Sequence, residues 1–152
     1  MALDLHWTWV RFPGLTLDDL YDALALRAEV FVVEQNCVFQ DLDGADRVSG
    51  HLLGRDVAGV LQAYLRVVDP GVKFPEPSIG RVISSAAVRG TGAGHVLVAE
   101  GIRRCTAAWP GQAIRIGAQS RLESFYAQHG FVREGEDYIE DGIPHCEMVR
   151  AA

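Results

Sequence analysis

One junction limits this chain more than any other feature. Before it, Ser78 to Ser85 carries Ile79, Val82 and Ile83 and reads as a strand. After it, Val98, Ile102, Cys105 and Trp109 recur at helical spacing until Pro110-Gly111 stops them. The junction itself is Arg89-Gly90-Thr91-Gly92-Ala93-Gly94. Glycines here let the main chain approach a ligand closely. The first amides of the helix have no intrahelical acceptor and sit at the positive end of its dipole, so the segment suits a phosphate. A dinucleotide fingerprint would need Gly or Ala where His95 stands (counting from Gly90) or where Leu97 stands (counting from Gly92), and both fail. A Walker A loop would need a lysine, and the only one is Lys73, in another loop. The pattern left is R-x-x-G-x-G. A tight turn with no ligand is the alternative for a lone G-x-G.

The rest of the chain sets this junction in an α/β order. Leu5 to Phe12 alternates as a first strand and is broken by Pro13-Gly14. Thr16 with Asp19 resembles a helix N-terminal capping pattern. Leu17, Leu20, Tyr21, Leu24, Ala28 and Phe31 then recur at helical spacing, and the helix is expected to end near Gln35. A loop with Asp41, Asp43 and Asp46 follows. His51 to Arg55 and Ala58 to Val68 read as two strands, Ile114 to Ala118 as another, and Leu122 to His129 as a short helix closed by Gly130. Val132 to Tyr138 and Cys146 to Arg150 are the last strands, around an Asp141-Gly142 turn. The expected order, β-α-β-β-β-α-β-α-β-β, implies an α/β or α+β domain with a mixed sheet, spanning residues 1–152 as a single domain.

Charge and cysteine content exclude some classes. The net charge is −6, which disfavours a nucleic-acid or anionic-membrane partner. No apolar run approaches a membrane span, and the start shows no secretory signal pattern. Cys37, Cys105 and Cys146 are odd in number and lack C-x-x-C spacing, so neither a disulfide framework nor zinc is expected, and a cytoplasmic protein with reduced thiols is. Within residues 78–118, five arginines (81, 89, 103, 104, 115) face one acid, Glu100. This basic window surrounds the glycine loop and would attract a polyanion, although Arg103 and Arg104 also read as a solvated helix face.

The glycine loop resembles the pyrophosphate loop of the GNAT superfamily of acetyl-CoA-dependent N-acyltransferases. Phe125-Tyr126-Ala127-Gln128-His129-Gly130-Phe131 is similar to that family's Tyr-x-x-x-Gly-Phe segment. The stretch Leu26 to Cys37, then Gln40 to Asp46, resembles the ElaA-type subgroup. So do Ile79-Gly80-Arg81-Val82-Ile83, Gly117-Ala118-Gln119 and Asp141-Gly142-Ile143-Pro144-His145.

The resemblance implies the GNAT fold, acetyl-CoA as co-substrate, no metal, and direct transfer to a small-molecule or peptide amine in a ternary complex. It also admits a homodimer. It places the acetyl group on backbone amides near Val82, Ile83 and Ser84. The remaining cofactor contacts fall on Arg89, Gly90, Thr91, Gly92, Ala93, Gly94, Gln119 and Tyr126. Tyr126 is the implied acid for the leaving thiolate, and a helix tyrosine bonded to a backbone carbonyl is the competing reading. Ser84 and Ser85 lack the oriented base a nucleophile needs. For the general base, Glu34 lies in the apolar stretch Val30 to Val33, whose surroundings would raise a carboxylate pKa, unless it forms a salt bridge to Arg27 or Arg81. His145 is the second candidate, or else it holds the Asp141 turn, and His51 is the third. The Asp41–Asp46 run hints at calcium but lacks the EF-hand glutamate, so an acidic capped turn is expected. Two alternatives stay open: a non-catalytic acyl-CoA-binding module, and an acyltransferase using a longer acyl group. The latter draws on acyl-homoserine-lactone synthases, which share an Arg-x-x-x-Phe segment like Arg27 to Phe31.

Overall fold

A computed structural model describes residues 4–152. The elements are β1 (His6–Arg11), α1 (Leu17–Arg27), β2 (Ser49–Arg55), β3 (Leu61–Val68), β4 (Ser78–Ser84), α2 (Ala93–Ala108), β5 (Ile114–Gln119), α3 (Glu123–Ala127), β6 (Phe131–Glu140) and β7 (Ile143–Arg150). This is the order expected from the sequence. The sheet is divided rather than continuous. One sheet runs β1-β2-β3-β4 and the other β5-β7-β6, and every ladder is antiparallel. β4 and β5 start side by side, with Arg115 N donating to Pro77 O at 3.2 Å, but form no ladder. Their far ends, Ser84 and Gln119, line one cavity. Among the described residues no helix is long and apolar enough to cross a membrane.

The four-stranded sheet is covered on both faces. Leu52, Leu65, Val67 and Ile79 pack in one core cluster with Leu97, Val98 and Cys105 of α2. Leu53, Tyr64 and Ile83 pack in a second with Ala23, Leu26 and Val30. Burial on both faces explains why β2 and β3 are almost continuously buried. Gly101 lets α2 approach β3, since a Cβ there would lie 2.6 Å from Leu65 Cδ2.

Helix α1 begins as its sequence indicates. Thr16 Oγ1 accepts from Asp19 N at 3.0 Å, and Asp19 Oδ2 accepts from Thr16 N at 3.4 Å, a reciprocal cap. Its buried face differs from the expected stripe. Leu17 and Tyr21 are 87% and 75% exposed, and Ala23, Leu26 and Arg27 are inside. The reason is electrostatic. Arg27, which periodicity assigns to water, is only 1% exposed because Asp41 (2.9 Å) and Asp46 (2.7 Å) neutralise it. Beyond Arg27 the helix widens into a π-helical segment, Ala28–Glu34, with Gln35 N donating to Val30 O and Cys37 N to Val32 O. Val30, Val32 and Val33 are β-branched and crowd a regular α-turn. The wider turn ends beside the cavity.

The acidic loop is an ionic anchor. Asp43 and Asp46 pair with Arg66 of β3 at 2.6 and 3.0 Å, and Asp41 pairs with Arg81 of β4 at 2.7 Å. Asp43 Oδ1 also accepts from Ala45 N, the capped turn expected there. All three carboxylates are therefore taken by guanidiniums. Burial alone would raise Asp43, but hydrogen bonds from Arg66 and Lys73 outweigh it and hold the carboxyl well below its usual range. His51 belongs to this anchor and not to the cavity. Its ring nitrogens meet Tyr64 Oη at 2.8 Å and Asp46 O at 2.9 Å, and burial lowers its pKa.

Candidate active site

The divergence of β4 from β5 opens a cavity of about 480 Å³. One end meets the glycine loop through Ser84, Arg89 and Gly94; the other meets the β6–β7 hairpin through Glu140, Asp141 and Ile143. Phe31, Glu34 and Gln35 at the end of the π-helical segment form one wall, and Leu122, Phe125 and Tyr126 another.

At the first end the backbone is shaped for an anion. Gly90 and Gly92 have φ of 79° and 85°, a left-handed conformation that favours glycine, and Gly92 is the N-cap of α2. A Cβ at either would meet nothing within 4 Å, so the surface above both is open. The first amides of this 16-residue helix face that opening without intrahelical acceptors. Arg89 and Gly94 line the cavity itself. Gly90, Thr91, Gly92 and Ala93 lie beside it, outside its lining. These features fit the diphosphate of a coenzyme lying outside the pocket, with its thiol arm passing inward.

β4 carries an irregularity at the middle of the cavity. Ile83 pairs with Tyr64 but Gly80 pairs with Arg66, so β4 holds one extra residue. Such a bulge leaves backbone groups without ladder partners. Arg81 adopts φ 52° there, and Val82, Ile83 and Ser84 continue along the cavity wall. Ser85 Oγ bonds to Gln62, and among the described residues neither Ser84 nor Ser85 hydrogen-bonds to a histidine.

The side chains predicted from the sequence divide into those the fold brings together and those it does not. Tyr126 is 7% exposed and lines the cavity. Burial pushes its hydroxyl up to about 12, so it holds its proton through the neutral range. The competing bond to a backbone carbonyl is absent. Among the described residues the one buried side-chain polar atom without a partner is Arg66 Nε, so the Tyr126 oxygen opens to the cavity. His145, 9% exposed, also lines it. Its Nδ1 donates to Ile143 O at 2.7 Å, and its Nε2 lies 3.5 Å from Glu140 Oε2. The ring stacks on Tyr138. Gln119 lines the cavity, donating to Gln35 Oε1 at 3.3 Å and accepting from Arg121 Nε at 3.0 Å.

Glu34 differs from expectation. It is exposed and its carboxylate is held by both terminal nitrogens of Arg89. The hydrogen bonds from Arg89 lower its pKa, where apolar surroundings were expected to raise it. Its partner is neither Arg27 nor Arg81. The basic window is likewise spent internally. Arg81 pairs with Asp41, Arg89 with Glu34, Arg103 and Arg104 with Glu100, and Arg115 with Glu76, Glu134 and Glu147. Of the Arg27-x-x-x-Phe31 segment, Phe31 lines the cavity and Arg27 is buried in the anchor. Sequence reasoning missed Gln35, Phe39, Arg121 and Glu140. Of these, Gln35 stands beside Glu34, Phe39 beside the Gln40 to Asp46 stretch and Glu140 beside the Asp141 turn, each of which the pattern singles out.

A family model for the acetyltransferase (GNAT) domain matches residues 52–152. The chain is 40% identical over 148 residues to protein ElaA of Escherichia coli K12, covering 96% of each chain. The crystal structure of an acyl-CoA N-acyltransferase from Pseudomonas aeruginosa superposes with a TM-score of 0.92 at 43% identity, covering 97% of this chain and 100% of that one. The crystal structure of Escherichia coli ElaA gives 0.90 at 40% identity, covering 97% and 99%. The splayed β4 and β5, the open glycine loop on α2 and these full-length likenesses agree, and the chain belongs to the GNAT acetyltransferase family, within which it is ElaA-like.

Proposed function

We propose that this protein transfers acetyl from acetyl-CoA to an amine by direct attack in a ternary complex. One observation supports this above the others: the hydroxyl of a largely buried tyrosine, without a protein partner, and a histidine ring line one cavity that starts at the open N-terminus of α2. Acyl transfer to an amine needs a held thioester, a deprotonated nucleophile and a protonated leaving group. In this reading the amides of Gly90 to Gly94 and Arg89 hold the diphosphate. The backbone of Val82, Ile83 and Ser84 holds the acetyl oxygen. Tyr126, kept neutral by burial, donates to the departing sulfur. His145 Nε2 takes the ammonium proton, directly or through water, and the adjacent Glu140 carboxylate steadies the imidazolium. Glu34 is the weaker base because Arg89 already stabilises its charged form.

Acetyl-CoA is expected to raise the melting temperature by mass action, and NAD is not. Gly92→Val is expected to remove that shift, because a side chain would fill the open surface above a left-handed residue. A thermal shift with NAD and none with acetyl-CoA overturns the proposal.

A further inference from the structure

The hairpin end of the cavity holds fixed negative charge that nothing in the fold neutralises. Glu140 and Asp141 both line it, and among the described residues neither has an Arg or Lys partner; His145 Nε2 lies 3.5 Å from Glu140 Oε2. The other lining cations are committed or lie elsewhere. Arg81 is held by Asp41, Arg89 by Glu34, and Arg121, which precedes α3, donates to Gln119. His145, nine-tenths buried, lines the same end with its Nε2 beside Glu140. Phe31, Phe39 and Ile143 supply apolar wall. The two segments flanking this end touch, Cys37 Sγ donating to Asp141 O at 3.3 Å.

An amine attacks only as the neutral base, and fixed negative charge beside it opposes the loss of its proton. The same charge favours a second ammonium that does not react. We infer that the acceptor is a small aliphatic diamine or polyamine without a carboxylate, its distal ammonium held by Glu140 and Asp141 while His145 faces the reacting one. The inference rests on the N-acetyltransferase reading above.

The test measures CoA release from acetyl-CoA with 1,4-diaminobutane, 1,5-diaminopentane, butylamine and lysine, alongside the acetyl-CoA thermal shift. The diamines are expected to exceed butylamine and lysine in kcat/KM by about fivefold or more. The double variant Glu140→Gln, Asp141→Asn is expected to erase that preference, and added salt to weaken it. Equal use of butylamine, preference for lysine (the outcome if Arg121 selects a carboxylate), or no turnover of any amine while acetyl-CoA binds overturns the diamine assignment alone. Failure of acetyl-CoA to bind overturns the parent reading with it.

A second, independent observation concerns Arg81. A non-glycine residue at φ 52° is strained, and here it sits in the bulge just before Val82, Ile83 and Ser84. Its guanidinium is clamped by Asp41, with Nε to Oδ1 at 2.7 Å and a terminal nitrogen to the backbone oxygen at 2.9 Å, and lies 5.8 Å over the Phe39 ring. Asp41 is itself fixed to buried Arg27. The geometry points to Arg81 and Asp41 as positioning residues that hold the bulge in the form that presents its amides to the acetyl oxygen. Glycine adopts this φ without the clamp, which separates backbone from side chain. The readout is the ratio of acetyl-CoA to CoA affinity, which also rests on the N-acetyltransferase reading and needs no acceptor. Wild type is expected to prefer acetyl-CoA, Arg81→Ala to lose that preference, and Arg81→Gly to regain it. No preference in wild type, no loss in Arg81→Ala, or no recovery in Arg81→Gly overturns the assignment.

Discussion

Two sets of ion pairs in this molecule use the same residue types to opposite ends. Arg27, Arg66, Asp41 and Asp46 form a buried anchor, with both arginines at most 2% exposed. Glu34 and Arg89 form a pair at the cavity rim with 43% and 42% of their side chains exposed. In the anchor, removing one partner strands a charge away from water, which is expensive. At the rim, water and salt replace either partner readily. The anchor can therefore hold a loop and a bulge in place. The rim pair is free to exchange, and the diphosphate proposed to sit beside Gly92 would compete with Glu34 for Arg89.

The largest effect is expected in the anchor. Asp46→Ala removes the carboxylate that Arg27 and Arg66 share, leaving Arg27 with Asp41 and Arg66 with Asp43 but each with a buried guanidinium nitrogen short of its partner, and should cost about 3 kcal/mol. Thermal denaturation should show a melting temperature lower by about 10 °C. A change within experimental error would mean that water reaches both guanidiniums and that the contrast with the rim is false.

Acid should probe the same contrast. Asp43 and Asp46 have folded pKa values below their unfolded ones, because hydrogen bonds from Arg66 and Arg27 outweigh burial. Their contribution is complete above the ordinary carboxylate range, near pH 4, and is lost as pH falls below it towards the depressed folded values. Unfolding free energy measured at decreasing pH should fall below about pH 4, and Asp43→Asn should flatten that slope.

Chemistry in the cavity should be smaller in energy and separate from stability. Tyr126→Phe keeps the ring that packs on Phe125 and Phe131 and removes only the hydroxyl. The rate constant should fall by at least about tenfold, with the Michaelis constant for acetyl-CoA little changed. Full activity would leave solvent as the proton source.

The smallest effect belongs to the rim pair. Glu34→Gln removes the anion that occupies Arg89, so acetyl-CoA should bind a few-fold more tightly at low salt, with the gain fading as salt rises and no change in melting temperature. Weaker binding would show instead that Glu34 orients Arg89 for the phosphate. A pH-dependent fall in rate, largest near neutrality, would restore Glu34 as the base in place of His145.

Much of the frame was legible in the residues. The capping pair Thr16–Asp19, the glycine loop and the Asp141-Gly142 turn each depend on local backbone preferences, and each stands where the sequence indicates. The buried face of α1 was not legible, because hydropathy assigns Arg27 to solvent and Leu17 to the core. The pKa direction of Glu34 was misread for a related cause: its carboxylate stays exposed and meets Arg89, a partner far away in sequence.

The sequence by itself determined which segments are strands and helices, and that a glycine-rich turn with left-handed residues joins β4 to α2. Backbone geometry and periodicity act over a few residues, and the sequence carries both openly. Only the tertiary structure decided that Arg89 is held by a carboxylate 55 positions away. It also decided that Cys37 meets Asp141 across 104 positions, and that the five arginines of the basic window are already paired. Charge interactions depend on distance and on how much water lies between the groups. Both quantities come into being only when the chain closes on itself.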